Sequence, residues 1–155
     1  MSRPRLGPRG GDPEFLGQGD GGGAAGWEDY DFAVIRVVPH VHLELYENIG
    51  VVLHGRTSGF LDARVLTDRE ALGRLAPGTD TELLTEYLEA LTGIVRGDES
   101  CGPMALSPPS ERFHWITAPR SDVVQCSKVR AGRSTDLEAT LKHLYAEYVE
   151  GPVGG

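Results

Sequence analysis

The sequence predicts an α+β domain: a mostly antiparallel sheet of about four strands with two amphipathic helices packed on it. Three observations point there. Three successive apolar or alternating runs between residues 30 and 66 are joined by short connections, which favours an antiparallel meander. Two later stretches repeat apolar residues at helical spacing behind a capping signature. A chain of 155 residues is long enough to bury an independent core without disulfide or metal staples.

Taken in order, residues 1–26 hold nine glycines and three prolines and little apolar surface to offset the entropy of ordering them. They are expected to form a disordered leader, with one domain over 27–150 and a flexible tail over 151–155. "DFAVIRVV" is apolar on both alternating faces, the pattern of a strand covered on both sides, and Pro39, which has no N–H to donate, is expected to end its ladder. "NIGVVLHG" places Ile49, Val51 and Leu53 on one face and Gly50, Val52 and His54 on the other. "GFLDARVL" alternates, with Leu61, Ala63 and Val65 inward and Asp62 and Arg64 outward; Gly55 and Ser58-Gly59 supply the turn before it.

The helices follow. Thr79 and Glu82 form a capping box ahead of Leu83, Leu84, Tyr87, Leu88, Leu91, Ile94 and Val95, and Gly97 is the stop signal. Thr135 and Glu138 repeat that grammar ahead of Leu137, Leu141, Leu144, Tyr145 and Tyr148, with Gly151-Pro152 as terminator. Both helices are expected on one face of the sheet. Between them a short helix opens near Pro109 or Ser110, and "DVVQCSKV" reads as a fourth strand.

Charge narrows the function. The net charge of −8 argues against broad nucleic-acid binding, whose affinity comes mainly from neutralising phosphates. Positive charge is nevertheless concentrated: Arg112, Arg120, Lys128, Arg130 and Arg133 face only Glu111 and Asp122 between residues 111 and 133. Cys101 and Cys126 form no C-x-x-C pair and are expected to be reduced, structural thiols in a cytoplasmic protein. No apolar run reaches the roughly 18 to 20 residues of a membrane helix. No P-loop, nucleophile elbow, zincin or dinucleotide motif occurs, and no cofactor is expected.

Several unusual strings occur in a characteristic order: "YDFAVIRVVP", "NIGV", "PSERF" and "APRS". With the terminal "LEATLKHLYAEYV" they make residues 29–149 similar to the bacterial domain-of-unknown-function family 3037. Membership of that family implies no reaction; it implies a partner protein, since family members are often encoded beside HipA-like kinases. His40 and His42 stand where the family tends to have arginine and glutamate, so they are not read as a family site.

The densest chemistry lies in "RFHWITAPRS", residues 112–121. Arg112 and Arg120 each offer a planar, permanently charged fork suited to carboxylate or phosphate, on backbone stiffened by prolines. His114 is a candidate acid or base, and Trp115 or Phe113 can stack on a ring. With Ser121 these residues make a candidate anion- or partner-binding site, for a protein or an anionic small molecule; a small enzyme or ligand sensor with His114 moving a proton is the alternative. The structural alternative makes Phe113 and Trp115 core anchors, pairs Arg112 with an acid, and sets Arg120 over a helix end. Asn48, beside a strand glycine, is a second binding candidate. His40, His42 and Glu44 have metal-compatible spacing but no third strong ligand, so no metal site is assigned. Deleting residues 1–26 is expected to leave the melting temperature unchanged in a thermal denaturation scan; a fall of several degrees would move the domain boundary upstream.

Overall fold

Residues 32–38 read FAVIRVV, so the strand they form has apolar side chains on both faces apart from Arg36. The computed structural model describes residues 26–40, 45–119 and 123–151, and this run is the centre of its sheet. Strand β1 (Glu28–His40) pairs antiparallel with β2 (Leu45–Gly55), which pairs antiparallel with the edge strand β3 (Leu61–Val65). On its other side β1 is shared: β4 (Val124–Cys126) pairs with residues 35–37 and β5 (Arg130–Ser134) with residues 28–32. The helices are α1 (Arg69–Leu75), α2 (Thr81–Val95), α3 (Pro109–Thr117) and α4 (Leu137–Tyr145). Two 3-10 turns lie between α2 and α3, and α4 runs into a π-helical turn, Ala146–Glu150.

The α+β class and the antiparallel sheet are as expected, but the two long helices lie on opposite faces. Ala33, Ile35, Val37, Val52 and Ala63 pack against α1, α2 and α3 through Leu72, Leu88, Leu91, Phe113 and Ile116. Phe32, Val34, Val51 and Leu53 pack against Leu137, Leu141 and Leu144 of α4. The alternation of β1 dictates this. Two helices on one face would have left four large side chains in water, at roughly 1.5–3 kcal/mol each.

Other expectations shift by a residue or two, each for a local reason. Ile35 opposes Gly50 while Arg36 opposes Asn48, so Ile49 is an extra residue in β2. This bulge turns Ile49 to the α2 face, beside Val52, instead of joining Val51 and Leu53 as simple alternation predicted. Gly50 is needed there: a Cβ would lie 2.9 Å from the Arg64 carbonyl oxygen and from Val65 Cγ1. β1 does not stop at Pro39 but runs to His40, with a register irregularity after Val37. Both helix caps fall one residue later than expected. Asp80 accepts from the N–H groups of Glu82 and Leu83, and Asp136 from that of Ala139, a carboxylate being a better N-cap than the threonine before it. α1, with Asp68 as its cap, and the polar strand β5 were not foreseen.

The two strands that share one edge of β1 are joined through Ser127. Its N–H donates to the Val34 carbonyl at 2.8 Å, and its Oγ accepts from the Val34 N–H at 2.9 Å. A hydroxyl thus replaces the main-chain carbonyl that a continuous strand would have supplied. Ser127→Ala leaves a buried amide in the central strand without an acceptor, and is expected to cost about 1–3 kcal/mol in urea denaturation; an unchanged midpoint would show that the ladder closes another way.

Candidate functional site

Proline chemistry builds α3. Pro109 opens it at the first helical position, where its missing N–H costs nothing, and Ala118, extended ahead of Pro119, ends it. One side of the helix is anchored. Phe113 and Ile116 are buried beneath α2, and Arg112 donates from Nη1 to the Ser107 carbonyl at 2.5 Å and from Nη2 to the Val95 carbonyl at 3.3 Å. Val95 is the last residue of α2, so Arg112 satisfies a carbonyl that the helix end leaves open.

The other side of α3 faces out. Glu111, His114 and Trp115 are exposed, Trp115 by 41%. Residues two apart on a helix do not share a face, so Arg112 and His114 are not brought to one substrate. Arg120 and Ser121 lie outside the described residues. Asn48 belongs to the opposite layer: its Nδ2 donates to the Tyr148 carbonyl at 3.0 Å, tying β2 to the π-helical turn, while its Oδ1 is buried without a hydrogen-bond partner.

The metal-compatible trio is not described as a set: His42 and Glu44 lie outside the described residues, and of His40 only the backbone is described. Among the described residues, no group of three or more His, Cys, Asp or Glu could hold a metal ion. Cys101 and Cys126 are unbridged and partly buried. Of the basic window, Arg130 donates to Tyr148 Oη at 3.0 Å and Arg133 to Asp29 at 3.3 Å.

Sequence reasoning missed two features. His54 is 8% exposed, and its ring stacks on Phe113 with centroids 5.5 Å apart. The alternation placed it correctly on the Val52 face, but nothing local revealed that α3 would cover it. Burial lowers its pKa below the ordinary imidazole value, with His114 and Arg56 adding repulsion and Asp31 and Glu28 opposing the shift. Arg36, second, follows Phe32 and Val34 on the α4 face, with its guanidinium carbon 4.0 Å above the Tyr46 ring and its Nε buried without a hydrogen-bond partner.

Compared with known families, residues 32–149 match the one described as "Protein of unknown function (DUF3037)". The chain belongs to this family. The match reaches every described strand and helix of the DUF3037 domain, starting four residues into β1 and ending one residue before the end of the π-helical turn. No curated protein and no solved structure matches the chain.

The neutral form of His54 favours the folded DUF3037 domain, so its contribution is fully present above the unfolded value of about 6.5 and is lost as pH falls from there through the lower folded value. The melting temperature is expected to fall between pH 7.5 and 5. His54→Phe, which keeps a ring against Phe113, should flatten that part of the profile; an equally steep profile in the variant would assign the dependence to other groups.

Proposed function

We propose that this DUF3037 domain is a non-enzymatic interaction module whose protein partner docks on the outer face of α3 and the segment that follows, residues 112–121. The observation that carries this reading is the division of α3. Its inner face is held by Arg112, Phe113 and Ile116, while its outer face presents Trp115 and His114. An exposed tryptophan on an anchored helix is the kind of residue that dominates binding energy in protein interfaces. The enzyme alternative needs Arg112 to hold an anion, whereas its Nη1 and Nη2 already serve the Ser107 and Val95 carbonyls and its Nε is buried. The partner inferred is a HipA-like kinase, bound by this accessory protein in the cytoplasm.

The test is co-expression of the full chain with a HipA-like kinase, followed by gel filtration. Co-elution is expected; Trp115→Ala should abolish it while leaving the melting temperature within a degree or two, since exposed positions contribute little to stability. Arg112→Ala should lower the melting temperature by several degrees. Failure of the unmodified pair to co-elute would remove the kinase as partner, and co-elution of the Trp115→Ala chain would move the docking site off α3.

A further inference from the structure

The outer edge of β3 has an unusual symmetry. Gly55 N–H donates to the Phe60 carbonyl and Leu66 N–H to the Ile49 carbonyl, so even-numbered residues of this strand turn their main-chain groups to β2. Leu61, Ala63 and Val65 therefore turn theirs outward. The strand reads Leu61-Asp62-Ala63-Arg64-Val65. About Ala63 it is complementary to its own reverse: Leu mirrors Val, and Asp mirrors Arg.

Two further features belong to the same edge. Ala63 is buried, and its outward main-chain groups are hydrogen-bonded by side chains: its N–H donates to Asp62 Oδ1 at 2.8 Å, and Arg96 Nη2 donates to its carbonyl at 3.3 Å. Arg96 also pairs with Asp62 at 2.9 Å, and their side chains are 58% and 32% exposed, so displacing this cover costs little. Beside the strand lies an open groove of about 820 Å³ between α2 and the end of α4. Its charged lining is balanced, Arg64, Arg69 and Arg96 against Glu89, Asp98 and Glu150. In a chain of net charge −8, a locally neutral edge is where another copy can approach without strong repulsion.

We propose that β3 pairs antiparallel with β3 of a second copy of this chain, about a two-fold axis at Ala63, merging two five-stranded sheets into one. Ala63 opposes Ala63 and exchanges both main-chain hydrogen bonds with it; Leu61 opposes Val65 of the second copy and does the same, about six bonds in all. Asp62 and Arg64 then oppose Arg64 and Asp62 of the second copy at the non-hydrogen-bonded positions, where cross-strand side chains come closest. The side chains of Asp62 and Arg96 that cover Ala63 move aside as the strands meet. This pairing uses a surface separate from α3 and does not depend on the partner proposed there.

Sedimentation velocity on the full chain, over concentrations up to about 1 mM, tests this directly. The unmodified chain is expected to dimerise in the micromolar range that suits a small interface. Asp62→Arg alone and Arg64→Asp alone each place like charges opposite one another twice, and should weaken the dimer roughly tenfold or more. An equimolar mixture of these two variants should form a one-to-one heterodimer, and the double variant Asp62→Arg/Arg64→Asp should recover the homodimer. Circular dichroism on each variant separates lost pairing from lost folding. A chain monomeric at every concentration, single variants that dimerise as well as the unmodified chain, or folded variants whose mixture and double form stay monomeric would each overturn the proposal.

Discussion

β1 is enclosed on four sides, and the rest of the molecule follows from that enclosure. Its two edges are taken by β2 and by β4, Ser127 and β5; its two faces by separate helical layers. Ala33, Ile35 and Val37 are fully buried under α1–α3, and Phe32 and Val34 nearly so under α4. A strand with two apolar faces cannot rest on a two-layer domain, so the C-terminal helix has to return across the sheet to cover the second face. The same demand explains why β5, polar and half exposed, is ordered: its main-chain groups complete the ladder of β1.

On each face a polar side chain ties a helical end to the rest of the fold. Arg112 joins α3 to the last turn of α2, and Asn48 joins β2 to the π-helical turn after α4. In both cases the residue type suggests ligand binding when read in sequence, because a guanidinium and a carboxamide serve main-chain carbonyls as readily as they serve ligands. At the start of β1 a third device works the same way. Glu28 Oε2 accepts from the N–H groups of Thr57 and Ser58; burial raises the carboxyl pKa, but these bonds outweigh it and leave the value lowered. Arg56 forms two hydrogen bonds to Asp31 beside it.

The two ends of the sheet differ in how their unpaired groups are managed. β5 carries Arg130 and Arg133, each engaged with a neighbour on the same surface, and such charged side chains discourage strand addition. β3 is short, and the main-chain groups of its central residue are hydrogen-bonded by the half-buried Asp62 and the exposed Arg96. No described helix is long and apolar enough to cross a membrane.

Much of the fold was legible because local rules are strong where the pattern is long. The doubly apolar β1, the alternation of β3, the stripe of α2 with its stop at Gly97, and the Pro-initiated α3 all follow from spacing and from backbone chemistry that a few neighbouring residues determine. The strings that carry the DUF3037 resemblance were legible for the same reason. What sequence did not decide were relations between distant segments: that α2 and α4 take opposite faces, that Ile49 is a bulge, that RAGRS is a strand, that Arg112 meets Val95 and Asn48 meets Tyr148. Those depend on which groups are left unsatisfied once the sheet has formed. A side chain's partner is set by that remainder, and its chemistry alone determines only the kinds of partner it can take.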